Sequence, residues 1–173
     1  MKTTLEDLKE RRSIRTFKPD QITDEELGQI LEAGTFAPSG ANMQSAVIVV
    51  AQDPALIKQL EQLNAQALNN PQAHPFFGAP TVLSILVDTT KATPVEDGAL
   101  VIGNLLNAAA ALGIGSCWIH RAKEVFAGAE GQELLRKWGL GKQYIGVGHC
   151  ILGYAAGPVP SASPRKAGYI IKV

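Results

Sequence analysis

The sequence predicts a domain in which helices and strands interleave, of class α/β or mixed α+β. Apolar runs of strand length at residues 46–50, 81–87, 114–119 and 144–152 alternate with stretches of helical spacing. The longest helical stretch, residues 96–113, is apolar on nearly every side, as befits a helix at the centre of a layered fold. No repeat, low-complexity tract or linker interrupts the chain, so one domain is expected over residues 1–173.

Each element has a local reason. Residues 4–10 read as a short helix with Thr4 as its N-cap. Ile14, Thr16 and Phe17 then favour extended backbone, and Pro19 stops any helix. Thr23-Asp24-Glu25-Glu26 is a capping box, opening a helix over residues 23–36 with Leu27, Ile30, Leu31 and Gly34 at helical spacing. Residues 37–45 form a loop of small polar residues. Residues 46–50 read as a buried strand, because the apolar run is continuous rather than alternating. Asp53-Pro54 starts a helix with Leu56, Ile57, Leu60 and Leu63 on one face. Residues 69–80 are irregular, and residues 81–87 are a second apolar strand. After the central helix come a third strand at 114–119, one or two short helices within 122–140, and a fourth strand at 144–152. A Gly/Pro/Ser-rich loop leads to Arg165-Lys166 and a last strand at 167–173, which can pair with its own sheet or with that of a partner.

Composition narrows the function. Sixteen basic and sixteen acidic residues cancel, leaving no overall positive field for nucleic acid. At 46% hydrophobic and 18% charged residues the chain is rather apolar for its length, which points to area covered by a second copy. Two cysteines, Cys117 and Cys150, form no disulfide framework, and no signal-peptide apolar region opens the chain, so a cytoplasmic protein is expected. Residues 98–119 carry no charge, yet Asn104, Asn107 and the Gly113–Gly115 break argue for a core helix rather than a membrane span.

Familiar motifs fail. Trp118 stands where a dinucleotide fingerprint after Gly113 and Gly115 needs glycine, and Tyr154-Ala155 replaces the Lys-Ser/Thr of a phosphate loop. Cys117, His120, His149 and Cys150 would point to opposite faces of their strands, so no metal site is expected. No nucleophile–base triad suggests itself. What stands out is Arg11, Arg12, Ser13 and Arg15. On an extended backbone Arg11, Ser13 and Arg15 share a face, giving two guanidinium forks and a hydroxyl suited to a phosphate or other anion. The plainer reading is a helix C-terminus with basic residues opposing the dipole.

With these pieces in place, the chain resembles the nitroreductase family of flavin-dependent oxidoreductases. The likeness rests on Arg11-Arg12-Ser13-Ile14-Arg15-Thr16-Phe17, Ala37-Pro38-Ser39-Gly40-Ala41-Asn42-Met43-Gln44 and Asp97-Gly98. It continues in Leu112-Gly113-Ile114-Gly115-Ser116-Cys117-Trp118-Ile119 and in Leu152-Gly153-Tyr154 before Arg165. The resemblance implies an α+β fold, a mixed sheet with helices on both faces, in an intertwined homodimer with FMN at the subunit interface. It implies that Arg11, Arg12, Ser13 and Arg15 hold the flavin, Arg11 and Ser13 at the phosphate and Arg15 at the N1/C2-carbonyl edge. Pro38, Ser39, Gly40 and Asn42 match the loop that the second subunit lays against the same flavin. The backbone at His120 and Arg121 matches a contact near N5, and Arg165 with Lys166 matches a C-terminal phosphate contact. NADH or NADPH would donate two electrons, and a nitroaromatic, quinone or similar small molecule would accept them. The flavin carries the chemistry, so no catalytic acid or base is required.

The chain departs from the family in three places. Gln44 is followed by Ser45-Ala46 rather than Pro-Trp, residues 69–80 hold no lysine for the flavin's pyrimidine edge, and the chain is short. Phe76 and Phe77 stand in that stretch and read as core residues. Other readings stay open: specialised flavin chemistry such as dehalogenation or flavin breakdown, a non-enzymatic flavin-binding module, or an anion-binding protein without flavin.

Overall fold

The computed structural model describes residues 4–173. Four strands, β1 (Ala46–Ala51), β2 (Thr81–Asp88), β3 (Gly115–Ile119) and β4 (Tyr144–Gly153), form one sheet in the order β1-β2-β4-β3. All four pair antiparallel. The parallel part of the expected mixed sheet is a single bridge, Ser13 to Ser116 at the β3 edge.

Helices cover both faces. α2 (Asp24–Thr35) and α4 (Pro94–Ala111) pack on the side carrying Leu83, Ile85, Val87 and Leu152. α3 (Pro54–Ala67), α5 (Ala122–Ala127) and α6 (Ala129–Lys137) pack on the side carrying Val82, Leu86, Ile119 and Ile151. α1 (Thr4–Glu10) buries no residue and lies against α4. Thr4 is already within α1 rather than ahead of it. No helix among the described residues is long and apolar enough to cross a membrane.

The local signals act as their chemistry requires. Thr23 accepts from the Glu26 N–H and Glu26 accepts from the Thr23 N–H, a complete capping box. Asp53 accepts from the Leu56 N–H at 2.8 Å, with Pro54 opening α3. β2 lies at the centre, buried on both faces, which explains its unbroken apolar run. The run at 46–50 has another cause: β1 is an edge strand with only Ala51 fully buried. Gly98 lets α4 approach the sheet, since a Cβ there would lie 2.7 Å from Val147 Cγ2 and 2.8 Å from Val87 Cγ1.

The expected last strand is not formed. Every residue from 156 to 173 is exposed, including Tyr169, Ile170, Ile171 and Val173. A strand needs a neighbour's N–H and C=O groups, and the tail pairs with no strand among the described residues.

Candidate functional site

Residues 11–17 run along the β3 edge and the end of β4. The Ile14 N–H donates to Ser116 O at 2.9 Å, and the Lys18 N–H donates to Tyr154 O at 2.8 Å. Because pairing is confined to isolated bridges at Ser13 and Phe17, strict strand alternation is not imposed. Arg11, Ser13 and Arg15 therefore do not share one cavity. Arg11 and Arg12 line a cleft of about 300 Å³ with Asp7, Glu10, Gly113 and Ser116, whereas Arg15 opens into a different one.

Arg12 does part of what the plainer reading expects. Its Nη1 donates to the carbonyls of Lys9 at 2.7 Å and Arg11 at 2.6 Å, closing the C-terminus of α1. Its Nε, and Nη1 of Arg11, are buried with no hydrogen-bond partner among the described residues. A buried guanidinium N–H without an acceptor costs about 1–3 kcal/mol or more. Two of them beside one cleft fit an anion there, and a phosphate matches the guanidinium fork.

The second cavity, of about 330 Å³, gathers Arg15, His120 and Arg121 with Asn64, Phe77 and Trp118. Arg121 has φ +76, the left-handed region, at the turn from β3 into α5. Asn64, buried on α3, holds that turn by donating from Nδ2 to His120 O at 2.8 Å. Phe76 is core, as expected, but Phe77 is not. Its ring is 40% exposed and lies 6.0 Å from the Arg15 guanidinium.

The loop with Pro38, Ser39, Gly40 and Asn42 lies apart from both cavities. Pro38 and Ser39 line a third of about 380 Å³, between α2, β1 and α4. Ala41, Asn42 and Gln44 all have positive φ, and Ser39 Oγ accepts from the Gln44 N–H at 3.0 Å. The anchor of this strained loop is Asp97 on α4, 3% exposed. Asp97 Oδ1 accepts from the Gly40 N–H at 2.9 Å and Thr93 Oγ1 at 3.0 Å, and Oδ2 accepts from Ser45 Oγ at 2.7 Å. Burial works to raise the Asp97 pKa, but the Gly40 amide and the Ser45 and Thr93 hydroxyls outweigh it and hold the carboxyl below its usual range.

Arg165 and Lys166 sit on the exposed tail. Arg165 donates to Ser163 O from Nε at 3.2 Å and Nη2 at 2.6 Å, and Lys166 Nζ lies 5.5 Å from the Tyr169 ring centroid. Neither lines the Arg11 cleft. Within one chain, then, the expected residues fall into four groups: Arg11 with Arg12, Arg15 with His120 and Arg121, the Pro38–Asn42 loop, and the tail; Ser13, bridged to Ser116, lines neither arginine-lined cavity. Asp97 and Asn64 were not singled out as site residues. Their signal was a carboxylate in the first turn of an otherwise apolar helix, and an amide at a core-facing position beside Leu60 and Leu63.

Comparison with known proteins places these features. A relative from Archaeoglobus fulgidus is 34% identical over 112 residues, 63% of this chain and 62% of its own length. An NADH dehydrogenase of Thermus thermophilus is 32% identical over 153 residues, 87% of this chain and 68% of its own length. The chain thus spans about three fifths to two thirds of the length of these curated relatives. Among solved structures, a nitroreductase with bound FMN from Bacteroides fragilis superimposes with a TM-score of 0.90 at 27% identity, covering 100% of both chains. An FMN-dependent nitroreductase from Clostridium difficile does so with 0.86 at 27% identity, covering 98% of each. The sequence profile of the Nitroreductase family matches residues 8–154, from α1 to the end of β4, and so takes in both arginine-lined cavities and the Asp97-anchored loop. On fold and sequence together, this chain belongs to the nitroreductase family.

Proposed function

We propose that this chain is an FMN-dependent oxidoreductase, a flavoprotein that takes two electrons from NADH or NADPH and passes them to a nitroaromatic, quinone or similar acceptor. The observation that carries the reading is the pair of buried guanidinium N–H groups of Arg11 and Arg12 without a partner among the described residues, in the segment whose sequence resembles the family's flavin motif. Arg11, with Ser13 and Arg12 beside it, would hold the FMN phosphate. Arg15 would face the N1/C2-carbonyl edge, where a fixed cation favours the reduced ring. The backbone at His120 and Arg121, set by Asn64, would meet the ring near N5. When bound, FMN supplies the two-electron redox chemistry.

The reading includes a homodimer. One chain leaves Pro38, Ser39, Gly40 and Asn42 away from both arginine-lined cavities, so in this reading the loop completes the flavin site of the second copy. The tail with Arg165 and Lys166 would reach over that copy and bring a further cation to the phosphate. Its exposed Tyr169, Ile170 and Ile171 need cover, and the β1 edge offers unpaired backbone. Two free, buried thiols suit a cytoplasmic setting.

A visible spectrum tests the proposal. The purified protein should be yellow, bleach anaerobically with NADH or NADPH, and recover its band on adding a quinone. Colourless protein that refuses added FMN would overturn it, and a yellow protein that neither nicotinamide bleaches would favour specialised flavin chemistry or a flavin-binding role. Sedimentation of a flavin-loaded monomer would overturn the dimer.

A further inference from the structure

The cavity around Arg15 has an unbalanced charge. Two guanidinium groups, Arg15 and Arg121, and two imidazoles, His74 and His120, line it, and no carboxylate does. The chain as a whole is neutral, so this positive field is local. Glu61 Oε2 lies 3.5 Å from His74 Nδ1 while its Oε1 accepts from the Phe76 N–H at 2.9 Å, so His74 already faces a carboxylate. Among the described residues neither Arg15 nor Arg121 makes an ion pair.

The walls have a different character. Leu68, Ile119, Trp118 and Phe77 give apolar and aromatic surface. Phe77 has φ +54 and is followed by Gly78 at φ +72. A bulky residue in the left-handed region is strained. The fold thus holds the Phe77 ring at this mouth against its local preference, still 40% exposed. With Arg15 committed to the flavin edge, Arg121 remains on the rim with no ion pair among the described residues, whereas His74 faces Glu61.

We infer that this cavity selects an aromatic acceptor bearing a carboxylate, its ring against Phe77 and Trp118 and its carboxylate on Arg121. The inference rests on the flavin reading and names the substrate class for the same site. A neutral aromatic of equal size gains the ring contacts only. An acid adds charge-assisted hydrogen bonds, an advantage of about tenfold in affinity.

The test uses oxidised, FMN-loaded protein without nicotinamide, so that nothing turns over. Flavin absorbance is followed while 4-nitrobenzoate or its neutral counterpart 4-nitrobenzamide is titrated. The acid should bind about tenfold more tightly at low salt, and the gap should shrink as salt screens it. Arg121→Gln should narrow the gap and His74→Gln, at a ring already facing Glu61, should leave it, with FMN content measured in both variants so that lost flavin is not misread as lost selectivity. Equal affinity for the two ligands, or a gap that survives Arg121→Gln, overturns the inference. So does an Arg121-dependent preference for NADP+ over NAD+, titrated in parallel on the same oxidised protein, without any preference for the acid, which would assign the rim to the donor's phosphate. Protein that takes up no FMN sinks the flavin reading and this inference together. Protein that holds FMN and ignores the carboxylate sinks the inference alone.

Discussion

Lowering the pH from 7.5 to 5 should destabilise this protein through one residue, His149. The ring is fully buried in β4, edge-on to Phe76 at 5.2 Å between centroids and tilted to Phe126 at 6.1 Å. Its Nδ1 lies 2.8 Å from Ser84 Oγ, and its Nε2 has no partner among the described residues. Burial pushes the imidazole down from 6.5 to about 3. The unfolded chain therefore binds a proton that the folded chain refuses between those values. The associated stability is complete above the unfolded value and is lost as pH falls toward the folded one. At pH 5 the difference shifts the folding equilibrium about 30-fold, or about 2 kcal/mol. For a domain of this size that is about 4–8 °C in Tm. Glu26, Asp88 and Asp97, whose pKa values are lowered, also lose stabilisation in acid, but mainly below their ordinary values of 4.5, 3.8 and 3.8. Thermal unfolding of the wild type at pH 7.5 and 5 would be compared with His149→Gln, which keeps a partner for Ser84 and does not titrate, and with the double variant Ser84→Ala/His149→Phe. Both variants should show a much smaller drop. A wild-type drop no larger than theirs would refute the assignment.

Three further outcomes follow from the site. Asp97→Ala leaves the Gly40 N–H and the Ser45 and Thr93 hydroxyls without their acceptor, which should cost about 2–4 kcal/mol by urea unfolding and expose residues 39–45 to protease; an unchanged midpoint would remove its anchoring role. Arg11→Ala should raise the Kd for FMN about 10–100-fold by flavin fluorescence, because a charge-assisted fork on the phosphate is lost; equal flavin content in variant and wild type would end the phosphate assignment. Gly98→Ala should destabilise by about 1–3 kcal/mol, since the new Cβ crowds Val147 and Val87 between α4 and the sheet. A midpoint within error of wild type would show that α4 can move away from the sheet.

Local chemistry was enough to read most of the elements. The Thr23–Glu26 capping box and Asp53-Pro54 place helix starts because their hydrogen bonds close within four residues. The run at Thr81–Val87 reveals a central strand because burial on both faces requires apolar residues at every position. His149 and Cys150 do face opposite sides, His149 toward Phe76 and Phe126 and Cys150 toward the α2–α4 layer, since strand side chains alternate. The order of the arginine, Pro-Ser-Gly and C-terminal motifs pointed to the family without any geometry.

Tertiary structure decided whatever depends on partners distant in the chain. Arg11 and Arg15 open into different cavities because the segment between them is pinned to β3 and β4 at isolated bridges, not along a continuous ladder. Asp97 becomes the anchor of a loop some fifty residues away only when α4 is laid beside it. Phe77 faces Arg15 through a left-handed turn that its side chain disfavours and that no local pattern announces. The tail carries strand-forming residues but turns at 167–170 and stays exposed, because strand propensity is realised only against another strand's backbone. Contacts made within one helical turn or one strand face can be read along the chain, whereas those that cross between elements require the packed fold.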